Sequence, residues 1–218
     1  MSKVIFNMSM SLDGFVAGPN DEVDQLFGWY FGGDTDFQFP GSPYVFKVSA
    51  ASTGLLQQAS DAIGAMVTGR RNFDLAGAWG GNPPLGVPHI VVTHTPPPEW
   101  VKAGSPFTFV TDGVEEAVKQ ARQMAGSKAV CISSANILQQ CLRAGLVDEL
   151  YLDLVPILLG KGVRLFDPMD NAPVELDLIS ATEGTGVTHL RYAVRQKTPV
   201  SVGTDQAVRD LPASVLVS

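Results

Sequence analysis

From Glu149 to Leu159 the sequence reads Glu-Leu-Tyr-Leu-Asp-Leu-Val-Pro-Ile-Leu-Leu, an apolar run in which Asp153 is the one interior charge. A run of this kind is what a strand covered on both faces requires, so helices must flank the sheet that holds it. The segments around it agree. Lys3–Ser9, Ala62–Val67, His89–Val92, Phe107–Val110 and Lys128–Ile132 are short apolar runs rich in β-branched residues and bounded by polar or turn-forming ones. Between them, Val114, Ala117, Val118, Ala121 and Met124 recur at helical spacing, with Asp112 placed to cap and Glu115 to close a capping box. Ile137, Leu138, Cys141 and Leu142 form a second helical face that ends at Gly145. Strands alternating with helices predict an α/β domain, a three-layer α/β/α sandwich on a mixed, mostly parallel sheet. Val174–Thr182 and Val187–Arg195 alternate in character around Glu183-Gly184-Thr185-Gly186, so the chain should finish in an antiparallel hairpin.

The expected domain is residues 1–195, followed by a tail, 196–218, in which Pro199, Gly203 and Pro212 interrupt any period. An insert at 24–44 mixes glycines with Trp29, Tyr30, Phe31, Phe37, Phe39 and Tyr44. Such a segment either covers a pocket or a subunit contact, or plugs the domain's own core.

Composition removes several functions. Fifteen Lys and Arg against 22 Asp and Glu give a net charge of −7, which disfavours nucleic acid and anionic membranes as partners. Cys131 and Cys141 have neither a C-x-x-C partner nor a nearby histidine and read as small buried apolar residues. The first residues lack a signal-peptide core, and no apolar run approaches the ~20 residues of a membrane helix, so a cytoplasmic location is expected. His89, His94 and His189 show no ligand spacing, and no metal is expected. Gly160-Lys161-Gly162 is not a phosphate-binding P-loop, and Gly184 and Gly186 lack the third glycine of a dinucleotide turn.

In an open α/β sheet ligands bind outside the carboxyl ends of the parallel strands. Three such ends carry useful chemistry. Thr68-Gly69-Arg70-Arg71 puts two guanidinium groups at a helix start, Thr93-His94 follows the third strand, and Ser133-Ser134-Ala135-Asn136 opens another helix. Side by side they would grip a phosphate-rich ligand. Ser11 and Asp13, in the loop leaving the first strand, would reach the same edge, with Asp13 placed to orient a substrate hydroxyl or steer a proton, or else to close an Asx-turn on its own backbone.

These residues resemble the dihydrofolate reductase-like fold, and within it the C-terminal reductase domain of bifunctional riboflavin biosynthesis proteins and its stand-alone relatives. The resemblance rests on Met10-Ser11-Leu12-Asp13-Gly14-Phe15-Val16-Ala17, Thr68-Gly69-Arg70-Arg71-Asn72-Phe73, Ala144 to Leu150 and Val155 to Phe166. It implies bound NADPH and hydride transfer to a pyrimidine- or pterin-like small molecule, with Asp13 catalytic. It also implies that Arg70, Arg71, Thr93 and His94 hold the adenosine phosphates, that Gly160 and Gly162 shape the substrate floor, and that two chains pair as a homodimer. The family's zinc deaminase half is absent, since no H-x-E or P-C-x-x-C occurs. Ser133-Ser134 stands where relatives usually carry a Gly-Gly pair, and two side chains there narrow the cofactor's approach. A nucleotide-binding regulator of the same fold, or a reductase using a deazaflavin, fits the same residues.

Overall fold

The computed structural model describes residues 2–167 and 173–195. In chain order it comprises β1 (Val4–Ser11), β2 (Phe15–Ala17), α1 (Asp24–Phe27), β3 (Thr35–Phe37), β4 (Phe46–Val48), α2 (Ala50–Ala62), β5 (Ile63–Gly69), α3 (Arg70–Leu75), β6 (His89–Val92), β7 (Phe107–Val110), α4 (Val114–Ala125), β8 (Ala129–Ile132), α5 (Ala135–Arg143), β9 (Glu149–Val155), β10 (Val163–Arg164), β11 (Leu176–Gly184) and β12 (Val187–Val194). Eight strands make one sheet in the order β11-β12-β9-β1-β8-β5-β6-β7. From β9 to β7 every pairing is parallel, whereas β12 runs antiparallel to β9 and β11 antiparallel to β12. The mixed sheet with its terminal hairpin is the architecture the sequence predicts.

Alternation along β1 sorts the layers. Val4 and Phe6 turn to one face, where they join Ala117, Val118 and Ala121 of α4 and Leu138 and Cys141 of α5. Ile5 turns to the other and packs with Ile63, Cys131 and Ala59 of α2. Phe6 is fully buried, so truncation to Ala would cost about 3–5 kcal/mol of transfer and cavity energy. Both cysteines are free and buried, and burial pushes each thiol up to about 12.

Three local readings need correction. The helix cap before α4 is Gly113, at φ 90°, and not Asp112, because the chain needs one left-handed residue to enter the helix and only glycine adopts it without strain. The apolar run from Glu149 is a strand only as far as Val155; Pro156, which has no N–H for a ladder, ends it, and Ile157 to Gly162 form a loop. Helix α2 lies where no element is expected, since Ala, Ser, Thr and Gln dominate it; Ser49 caps it by accepting from Ser52 N at 3.2 Å. The insert, expected either to cover a pocket or subunit contact or to plug the core, packs its inner face on the domain: Leu26, Trp29 and Phe37 are buried with Val48, Leu56, Val155 and Val187, although Phe31 and Tyr44 stay exposed. The tail at 196–218 lies outside the described residues.

Candidate active site

The carboxyl ends of β5, β6 and β8 meet through side chains. Asn72, in the first turn of α3, donates its Nδ2 to Thr68 Oγ1 at 2.9 Å and to the Ser133 carbonyl at 2.8 Å. Ser133 N donates to Val67 O at 3.0 Å. A Cβ on Gly69 would stand 3.1 Å from Ser134 Oγ, so glycine there keeps the two strand ends in contact. Arg70 donates from Nη1 to the Thr95 carbonyl at 2.6 Å, and Thr95 N donates to Thr93 Oγ1 at 3.2 Å, which ties the end of β6 into the group. Thr68, Gly69, Arg70, Thr93, Ser133 and Ser134 thus share one rim, and His94 and Asn136 are exposed beside it while Ala135 is buried.

Helix α5 begins at this rim with Ser134 as its extended cap, and no side chain bonds its first turn. The opening amides of a helix have no intrahelical acceptor, and together with the helix dipole they favour an anion. The arginines behave differently from the sequence expectation of two free cations. Arg70 Nε bonds both oxygens of Asp74 at 2.8 Å, and Arg71 Nη2 bonds both oxygens of Asp21 at 2.7 and 2.8 Å. The Asp21 carboxylate holds the Arg71 guanidinium above its usual range. Both pairs face solvent, where water screens an ion pair and makes its partners easy to exchange, so a doubly charged phosphate could take either guanidinium at small expense.

Asp13 stands at the end of β1. Its Oδ1 accepts from Ser11 Oγ at 2.6 Å and from Leu159 N at 3.1 Å, and its Oδ2 accepts from Gly160 N at 2.7 Å. The Ser11 hydroxyl, seconded by those two amides, lowers the carboxyl below its ordinary range. Asp13 therefore binds the β1–β2 loop to the loop after β9, with its oxygens already engaged. Gly162, at φ 141°, is fixed by a close approach: a Cβ would lie 2.0 Å from the Ala17 carbonyl, inside the β10–β2 pairing.

One polar group escapes the sequence reading. Asp153 on β9 accepts from Asn7 Nδ2 at 3.2 Å and pairs with His189 Nδ1 at 2.7 Å; His189 Nε2 lies 2.8 Å from Ser52 Oγ, which lies 2.9 Å from Ser49 Oγ. Asp153, His189 and Ser52 are all buried. A serine, a histidine and an aspartate in this order are the parts of an acyl-transfer nucleophile. Here the serine is sealed, since the Gly184 backbone covers it so closely that a Cβ there would reach 2.5 Å from its Oγ. The sequence signal was the single charge inside the apolar run, but its partner on β12 is set by strand register, Asp153 opposite His189.

The geometry agrees with what the chain resembles. It is 25% identical over 206 residues to the uncharacterized protein YyaP of Bacillus subtilis (strain 168), an alignment covering 87% of this chain and 94% of that one. Among solved structures, a putative riboflavin biosynthesis protein from Shewanella sp. PV-4 superposes with a TM-score of 0.68 at 21% identity, covering 89% of this chain and 99% of that one. Dihydrofolate reductase from Enterococcus faecalis, complexed with NADP(H) and RAB-propyl, gives 0.51 at 15% identity over 88% of this chain and 96% of that chain. The fold is therefore dihydrofolate reductase-like. Residues 2–190 match the RibD C-terminal domain, and the chain belongs to that family.

Proposed function

We propose that this protein is a reductase that binds NADPH along the ends of β5, β6 and β8 and reduces a small pyrimidine- or pterin-like molecule. The observation that carries the reading is the convergence of Thr68, Arg70, Thr93, Ser133 and Ser134 at the uncapped start of α5. Hydroxyls, helix amides and two exchangeable guanidinium groups are the donor set a dinucleotide's phosphates need. Reduced nicotinamide supplies the hydride; the protein's part is to bind, orient and exclude water. Thr93, His94, Arg70 and Arg71 would hold the adenosine end, and Thr68, Gly69, Ser133, Ser134, Ala135 and Asn136 the diphosphate and nicotinamide end. Ser11 and Gly160 would border the substrate, and Asp13 would fix the loop that bears them and orient the substrate through it. A soluble homodimer is the assembly this reading expects, and light scattering on the full chain checks it.

The test is to titrate NADPH and NADH against tryptophan fluorescence and then follow cofactor oxidation over pyrimidine, pterin and riboflavin-precursor acceptors. Quenching by NADPH at micromolar concentration, followed by oxidation with at least one acceptor, is the expected result. No quenching overturns the reading. A second reading, a nucleotide-binding regulator, is favoured by Ser133-Ser134 and by the internally paired arginines; quenching without oxidation across the panel would select it.

A further inference from the structure

We propose that the segment from Asp24 to Val48 is a lid over the substrate half of the site, with the Trp29 indole standing where the flat, N–H-bearing ring of a substrate belongs. What enters when it opens rests on the reductase reading; that it opens does not.

The surface beneath Trp29 is the first argument. Ser9, Asp153 and His189 stand in one cross-strand row over β1, β9 and β12, just inside the carboxyl edge. Trp29 Nε1 donates to Ser9 Oγ at 3.1 Å, and its ring meets the His189 ring edge-on at 5.3 Å between centroids. Tyr30 stacks on Trp29 at 3.9 Å, and its buried phenol is raised by burial first and by the Asp153 charge second. Leu56, Val155 and Val187 give the segment an apolar seat, but a segment retained only to fill a core has no use for the polar row set among them. Burying a carboxylate, an imidazole and hydroxyls is costly, and apolar residues of like volume serve stability at least as well. The floor is built to recognise a ring with a hydrogen to donate.

The second argument is how lightly the segment is tied down. Its strands β3 and β4 pair only with each other, and α1 has no side-chain cap at its start. Among the described residues, one backbone hydrogen bond joins it to a part of the chain distant in sequence, Gly41 N to Pro84 O at 2.8 Å. Phe27, Phe31, Tyr44 and Val45 are exposed on its outer side. With few backbone bonds to the rest of the chain and an exposed outer face, the segment is held by the packing of Leu26, Trp29, Phe37 and Val48, and a unit held chiefly by side-chain packing opens below the global unfolding energy.

Hydrogen exchange on the full chain tests the opening. Amides from 24 to 48 should exchange together and at least about tenfold faster than those of β1 and β9. Equal protection of both overturns the lid. In Ser9→Ala the lid amides should quicken further while β1 and β9 keep their rates, because Trp29 loses its acceptor; parallel acceleration of all three would mark Trp29 as ordinary core. Recognition is tested in Trp29→Ala by adding indole or benzofuran, which differ at the N–H. Indole should bind at least about tenfold tighter, as sites built around a donor reject its isostere. Equal binding overturns the recognition, and should that variant not fold, the exchange comparison decides alone. NADPH titrated into the same samples reports on the cofactor reading separately, so the failure of either is seen without the other.

Discussion

The two halves of the sheet edge hold their ionisable side chains in opposite ways. At the ends of β5, β6 and β8 the hydroxyl-bearing Thr68, Thr93 and Ser134 are buried, but the charged side chains pair across short, solvent-facing contacts, Arg70–Asp74 and Arg71–Asp21. Across β1, β9 and β12 they are sealed: Asp153 and His189 are 6% and 5% exposed, beneath Trp29. Exposed pairs exchange partners cheaply, whereas a buried pair is costly to break once one member is removed. The contrast suits a cofactor that comes and goes on one side and a substrate chosen for its donors on the other.

The sharpest way to break this comparison is Asp153→Ala, which leaves the buried His189 Nδ1 without its partner and should cost about 1–3 kcal/mol in urea unfolding. A loss as small as that of a surface pair would erase the distinction. His89 sharpens it, being a buried imidazole with neither nitrogen bonded and a pKa lowered to about 4 by burial. The folded state keeps it neutral while the unfolded chain protonates it near 6.5, so stability should fall as pH drops from about 6.5 and level off below about 4, by up to about 3 kcal/mol. Urea midpoints against pH should show this slope, and His89→Phe should flatten it.

On the exposed side, Arg70→Ala with Arg71→Ala should weaken NADPH by at least about tenfold, at about 1.5–3 kcal/mol per charged hydrogen bond, and NADH much less. Fluorescence titration reads the ratio, and equal losses would free both arginines from the phosphate role. The smallest effect is expected at Ser134→Gly. Its side chain caps nothing, so stability should move by only a few tenths of a kcal/mol, while NADPH affinity should fall modestly as one hydroxyl donor is lost. A rise in affinity would show that the Ser134 side chain obstructs the α5 amides and is no donor.

The strand ends were legible because each apolar run stops at a turn or a hydroxyl, as at Val92-Thr93 and Ile132-Ser133. What sits across from those ends was not. Arg71 finds Asp21, fifty positions away, because Asp21 takes a left-handed turn at φ 66° that brings the β2–α1 loop back to the rim. Asp74, at helical spacing from Arg70, could have been read from the sequence. The Asp153–His189 pairing needs the register of two strands, and Ser52 needs a helix whose composition gives no apolar stripe. Asp13 stood out in its turn sequence, but its engagement with Leu159 and Gly160 depends on where Pro156 ends β9.

The position of β1 also bears on how this chain is made. Among the eight strands of this sheet it is synthesised before the others and lies inside the finished sheet, yet its two neighbours come late: Val4 pairs with Val130, and Ile5 with Glu149. Until those residues are synthesised, an apolar strand with two unsatisfied edges must wait, which slows closure and exposes it to other nascent chains. Folding yield should therefore depend on chaperone supply and on translation rate.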